Sequence, residues 1–361
     1  MKATHLLHDA GQSIWLDNIT RNLLKTGGLR RYIDEFSVTG LTSNPTIFDH
    51  AIKNGSDYDE SIRRKVAEGK SGEKLFFELA IEDLQQAADL FRPVHDRTCG
   101  LDGWVSLEVS PLLAYDTAST IDAAKGLHAQ ARRPNVMIKI PGTPQGLPAI
   151  EESIFAGVPI NVTLLFSGEQ YVAAADAYMR GIERRIAANL TPDIPSVASI
   201  FISRWDVAVN GKVSAALNDK LGIAVARQAY TRYLGLLSSP RWMRAYNAGA
   251  RPQRLLWAST GTKNPKSPDT LYVEALAAPF TVNTMPENTL KALAEHGNVG
   301  ATMRADGGTA DQELARFAAA KVDVGALAQQ LQEEGAKSFD KSWNDLMQVI
   351  GSKSTQLKRA S

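Results

Sequence analysis

Cysteine and histidine are scarce and scattered in this chain of 361 residues. The one cysteine is Cys99, and the six histidines are His5, His8, His50, His95, His128 and His296. A lone cysteine excludes an intramolecular disulfide and fits a reducing compartment. The histidines form no HxH or HExxH pair, so the spacing that zinc and iron sites use is missing and no metal is expected. Excess charge is missing as well. Lys and Arg number 40 and Asp and Glu 39, which leaves no basic footprint for nucleic acid or an anionic membrane. No run of about 18 apolar residues occurs, so no transmembrane helix is expected. MKATHLLHDAGQ, at the N-terminus, has no apolar h-region. The expectation is therefore no signal peptide and a cytoplasmic location. Internal repeats, low-complexity segments and an inter-domain linker are also absent.

What is present is apolar content of 44%, ample for a large core. It is arranged in eight short runs: 13–17, 38–44, 104–110, 136–141, 160–167, 197–203, 254–260 and 280–285. Each is bounded by Gly, Pro, Asn or Ser, as strands are. Amphipathic stretches at helical spacing lie between them, as at 73–91, 168–189 and 221–237. Strands alternating with helices predict a parallel sheet with right-handed crossovers. Eight of them predict a (β/α)₈ TIM barrel. The alternative is a doubly wound sheet, which usually shows a Gly-rich loop after its first strand; here WLDNITRN follows instead.

The chain is longer than a barrel needs. The surplus falls between strands two and three, between strands six and seven, and after strand eight. Helices over roughly 311–350 are expected to pack on the barrel exterior. One catalytic domain over 1–350 is expected, followed by a polar, disordered tail over 351–361 (GSKSTQLKRAS).

Strand side chains alternate, so in a barrel one set faces the helices and the other the interior. In strand four, Val136, Ile138 and Ile140 form one set and Met137, Lys139 and Pro141 the other. The β-branched set suits the helix layer, which turns Lys139 inward. The same alternation turns Trp15 and Asp17, Thr42 and Asn44, Ser106, Glu108 and Ser110, and Ser199 and Phe201 inward. In strand five it predicts Asn161, Thr163 and Leu165 inside, with Val162, Leu164 and Phe166 outside. Polar groups therefore converge at the C-terminal strand ends, where barrel enzymes keep their chemistry.

Each residue also has a purely structural reading. Asp17 is placed to cap a helix beginning near NITRNLL. Asn44-Pro45 is a turn signal. Glu108 and Lys139 make a core ion pair, an unattractive arrangement because such a pair often fails to recover its desolvation cost. The set taken together points to chemistry. Burial disfavours an ammonium group, and a neutral amine attacks a ketone to give a Schiff base. That route needs a proton shuttle for loss of water and a base for the substrate hydroxyl, two tasks for two carboxylates.

These segments resemble the transaldolase family. GLTSNPTIF (40–48) is similar to the family's Asn-Pro box on strand two, and VMIKIPGTPQGLPAIEESIFAGVPINVTLLFS (136–167) to its lysine segment. SVASIFISRWD (196–206), LWASTGTKNP (256–265) and TVNTMPENTL (281–290) resemble the ends of strands six, seven and eight. The resemblance covers nearly the whole chain and fits the long bacterial type best.

It implies a class I, Schiff-base aldolase barrel without a cofactor. The implied reaction moves a dihydroxyacetone unit from sedoheptulose 7-phosphate to glyceraldehyde 3-phosphate, within the pentose phosphate pathway. It implies Lys139 as nucleophile, and Glu108 acting through a water that Thr163 also holds. It implies Asp17 as base on the C4 hydroxyl, Asn44 and Asn161 at the dihydroxyacetone hydroxyls, and Ser199 and Phe201 in the pocket wall. Arg204 and Ser259 would bind the phosphate. In the better-known branch an Arg lies two residues after that serine. Here Ser259 is followed by Thr260 and Gly261, and Lys263 is the nearest cation, expected to serve as a point charge. Leu41 is a smaller departure, with no functional meaning attached.

Three other readings stand beside this one. A fructose 6-phosphate aldolase would release free dihydroxyacetone, although such relatives are shorter and carry Gln at the position of Glu108. A pyridoxal-phosphate barrel would use Lys139 for the cofactor. A non-catalytic sugar-phosphate-binding barrel would have no use for a desolvated lysine. A monomer or a homodimer is expected, with small sugar phosphates as the only partners.

Overall fold

A computed structural model describes residues 1–359. Eight parallel strands close in sequence order into a barrel. They are β1 (Gln12–Asp17), β2 (Val38–Thr42), β3 (Trp104–Glu108), β4 (Val136–Pro141), β5 (Ile160–Leu165), β6 (Ser196–Phe201), β7 (Gln253–Ala258) and β8 (Thr281–Met285). Helices separate them, and the surplus lies where the sequence places it. Helices 45–54, 59–67 and 72–97 fill the β2–β3 gap, and helices 203–209, 221–237 and 240–247 the β6–β7 gap. Helices 287–296, 310–319 and 324–359 follow β8.

The alternation sorts the core into two layers. Ile14, Leu16, Val105, Leu107, Ile138, Ile140, Leu255 and Trp257 pack under the helices. Trp15, Trp104, Met137, Val197, Leu256 and Val282 fill the interior, so the barrel is a packed core and not a pore. The largest of these, Trp15, needs a glycine beside it: a Cβ on Gly40 would lie 2.5 Å from the indole nitrogen.

The N-terminal end of the barrel is closed by charge and hydrogen bonding. Buried Asp102 accepts from Ser13 Oγ at 2.5 Å and from Trp15 Nε1 at 3.0 Å. Buried Arg254 donates to Ser13 Oγ at 2.9 Å and to the Leu101 carbonyl at 2.7 Å, and lies 3.4 Å from Asp102. Ser13, Trp15 and Arg254 each donate to an acceptor in this plug, and hydrogen bonding of that kind is the condition for burying a pair.

Strand five departs from simple alternation. Leu164 takes a left-handed φ of 58°, and the β5–β6 register shifts between Val162 and Leu165. Such a bulge adds one residue and reverses the faces that follow. Leu165, expected inside, therefore packs in the helix-facing layer, while Leu164 and Phe166, expected outside, join the cluster that continues from the barrel interior.

The chain's end also differs from expectation. The C-terminal helix runs Val324–Arg359 without a break, so 351–359 is helical where a disordered tail is expected; Ala360 and Ser361 lie outside the described residues. The polar composition is deceptive because a few side chains anchor it. Leu357 is buried, and Lys353 donates to the carbonyls of Ile52 and Gly55 and pairs with Asp59 at 2.9 Å. This helix is not confined to the exterior. Gln332 donates to the carbonyls of Gly142 and Leu164, at 3.0 and 2.9 Å, beyond the C-terminal end of β4 and at the end of β5. Trp343 packs edge-on against Phe76 at 5.1 Å and tilted against Phe77 at 5.6 Å. The helix thus crosses the barrel mouth, held at its middle by aromatic packing.

Candidate active site

The C-terminal mouth holds a cavity of about 300 Å³. Its wall includes Asp17, Asn44, Lys139, Thr163, Ser199, Phe201, Arg204, Ser259 and Lys263, so nine of the eleven residues singled out in the sequence meet there. The other two, Glu108 and Asn161, sit directly beneath. Strand register explains this. Glu108, Lys139 and Asn161 pair across β3, β4 and β5 at one level, and Thr163 pairs with Pro141 two residues further along.

Lys139 is buried at the cavity floor. Its Nζ donates to Glu108 Oε2 and to the Ser43 carbonyl, both at 3.1 Å. The ion pair expected as a structural alternative is therefore real, but it is unevenly satisfied. Glu108 Oε1 and Thr163 Oγ1 are buried and have no hydrogen-bond partner in the structure. Thr163 lines the cavity, so a water or a substrate hydroxyl there is a fitting partner for it. Burial pushes the Glu108 carboxyl upward, only partly offset by Lys139, and the charge of Asp17 pushes it further.

Asp17 is raised from its ordinary value for the same reason, burial. The Lys139 charge and hydrogen bonds from Thr42 and Asn44 oppose the rise. Thr42 donates to Asp17 Oδ1 at 2.9 Å and meets Thr284 Oγ1 at 2.7 Å, which fixes the direction of the carboxylate. Asp17 does not cap the next helix. Thr20 does, accepting from the Leu23 amide at 3.2 Å. Asn44 does cap one. Its Oδ1 accepts from the Ile47 amide at 3.2 Å with Pro45 at the first helical position, and the residue also lines the cavity. Asn161 accepts from Ser199 Oγ at 2.7 Å and donates to Ser106 Oγ at 3.2 Å, which locks its amide plane.

The rim is cationic. Arg204 lies in the corner that Phe201 and Phe339 make, its guanidinium carbon 5.4 and 5.8 Å from the two ring centres, which are themselves 6.4 Å apart and edge-on. Burial lowers its pKa, opposed by the charge of Glu334. Lys263 lies on the exposed loop after β7, and Ser259 is held by Ser203 at 2.8 Å. A floor amine flanked by two carboxylates, under a cationic rim, suits a carbonyl compound bearing an anionic group.

Sequence reading missed part of the wall. Thr46, Ile47 and His50 come from the helix after β2, Pro286 and Thr284 from the end of β8, and Phe339 from the C-terminal helix. Alternation with Val282 in β8 is a signal for Thr284. Nothing in a helical stripe marks Phe339 as a mouth residue. Among the described residues no three His, Cys, Asp or Glu side chains are grouped to hold a metal, and no helix is long and apolar enough to cross a membrane.

Residues 14–350 match the family described as Transaldolase/Fructose-6-phosphate aldolase. The chain belongs to that family. Curated relatives named Transaldolase agree. One from Parafrankia sp. (strain EAN1pec) is 44% identical over 95% of this chain and 96% of its own length. One from Arthrobacter sp. (strain FB24) is 44% identical over 99% of both. One from Thiobacillus denitrificans is 42% identical over 97% of this chain and all of its own. Transaldolase-type similarity thus runs through the whole barrel and into the helix that crosses its mouth.

Proposed function

We propose that this transaldolase-family enzyme acts through a Schiff base on Lys139. The observation that carries the reading is a buried amine at a cavity floor, 3.1 Å from the Glu108 carboxylate, with Asp17 on the same cavity wall. Glu108 takes a proton from the Lys139 ammonium, and the freed amine adds to the ketone carbon of a ketose phosphate, forming a C–N bond and a carbinolamine. Glu108, through a water shared with Thr163, returns a proton to the carbinolamine hydroxyl, which leaves as water. Asp17 takes the proton of the C4 hydroxyl, and the C3–C4 bond breaks with its electrons entering the iminium. An aldehyde departs and a three-carbon enamine stays on Lys139. Addition to an acceptor aldehyde reverses these steps, and hydrolysis frees the new ketose.

Asn44 and Asn161 would hold the dihydroxyacetone hydroxyls, and Arg204, Ser259 and Lys263 the phosphate. Ser199 and Phe201 would complete the wall. Sedoheptulose 7-phosphate and glyceraldehyde 3-phosphate are the substrates this reading assigns, with erythrose 4-phosphate and fructose 6-phosphate as products, in the pentose phosphate pathway of the cytoplasm.

Borohydride treatment with fructose 6-phosphate is expected to fix a three-carbon adduct on Lys139, seen by peptide mass mapping, and Lys139→Met is expected to abolish both adduct and turnover. Adduct elsewhere, or turnover by the variant, would overturn the assignment. Free dihydroxyacetone released in place of transfer to an acceptor would move the enzyme to the aldolase branch of its family.

A further inference from the structure

The Arg204 guanidinium is unusual for a half-buried cation. It makes no hydrogen bond or ion pair with a protein group among the described residues. Its neighbours are the faces of Phe201, from β6, and Phe339, from the C-terminal helix. Glu334 acts on it only at a distance. Cation–π contact with two rings confines a guanidinium without spending its N–H donors. Arg204 also lines the cavity, where donors without a protein partner suit an anion such as a phosphate.

One of the two rings belongs to an element outside the barrel, and several features seat that element against Arg204. Gln332 binds the Gly142 and Leu164 carbonyls. The left-handed turn at Leu164 points that side chain at the helix, where it meets Gly335. A Cβ at position 335 would stand 3.0 Å from Leu164 Cδ2 and 3.3 Å from Arg204 Nη1, so glycine there permits the close approach. The β5 bulge, Gln332, Gly335 and Phe339 together put the helix against the cation.

We propose that Phe339 is a positioning residue for anion binding. The C-terminal helix uses it to confine Arg204 in the corner beside Phe201, so that the mouth grips the phosphate of the substrate. This rests on the sugar-phosphate reading above, but its first test needs no turnover. Inorganic phosphate binding is measured by calorimetry on the full chain and on Phe339→Ala, Phe339→Leu and Phe339→Trp. Phe339→Ala and Phe339→Leu are expected to weaken binding about tenfold, and Phe339→Trp, which keeps a π-face, to retain it. With fructose 6-phosphate, KM is expected to rise in the first two variants by more than kcat falls. Borohydride trapping of unphosphorylated dihydroxyacetone should fall much less.

Phosphate binding by Phe339→Leu equal to that of the unaltered chain would overturn the proposal, since the apolar volume would then suffice. Equal losses for phosphorylated and unphosphorylated ketones would also overturn it, by making Phe339 a general structural residue. Failure of the Schiff-base reading shows separately, as an unaltered chain that binds phosphate yet takes no adduct on Lys139.

Discussion

Two carboxylates flank one amine in this site, and burial pushes both above the ordinary carboxylate range. They differ in support. Glu108 faces Lys139 directly, whereas Asp17 is steadied by Thr42 and Asn44. Hydrogen bonds to the ionised form work against the rise. As the base for C–C cleavage, Asp17 must be ionised, so raising its pKa moves the acid limb of the rate profile upward. The kcat/KM for fructose 6-phosphate is expected to fall, as pH is lowered, at a point above the usual Asp value of 3.8. Thr42→Val removes one donor to the ionised form. The limb should then move to still higher pH, with kcat/KM at neutral pH reduced about fivefold to tenfold. A limb that stays in place would show that Thr42 does not hold Asp17. At this scale the sequence is readable wherever strands alternate without interruption. Lys139, Glu108 and Asp17 follow from period two alone. Leu164 and Leu165 do not, because a bulge is a backbone choice with no fixed side-chain signature.

Helical spacing identifies a helix more readily than its place in the fold. Helical spacing finds a helix over 168–189 and capping chemistry agrees, with Ser167 and Gln170 in a reciprocal box. Yet periodicity says only that a stripe is apolar, not which layer will cover it. The C-terminal helix buries Trp343 against the long helix after β2 and turns Phe339 to the cavity, two tasks from neighbouring turns. Its final residues look polar, yet buried Leu357 and the hydrogen bonds of the Lys353 ammonium anchor them. Trp343→Ala is expected to destabilise the protein by about 3–5 kcal/mol, the usual cost of emptying so large a buried site, measured by urea unfolding. The same variant should bind inorganic phosphate more weakly, because the seat of Phe339 loosens with it. A stability loss under about 1 kcal/mol would mean that the helix is held mainly elsewhere.

The whole barrel separates stability from chemistry along its axis. Asp102, Ser13, Trp15 and Arg254 tie the N-terminal end, while every residue of the proposed mechanism lies at the other. Asp102→Ala leaves Arg254 buried without its carboxylate, a loss expected to cost about 3–5 kcal/mol in urea unfolding. The kcat of the folded variant should stay close to that of the unaltered enzyme. A large fall in kcat with little change in stability would contradict this division.

The helix that carries Phe339 comes after all eight strands in sequence. During synthesis, folding proceeds from the N-terminus, so all eight strands exist before the mouth has its final side. The barrel can therefore close as a structure ahead of its completion as a binding site. A product cut short after β8 would carry the amine and both carboxylates but lack Phe339 on the wall above them.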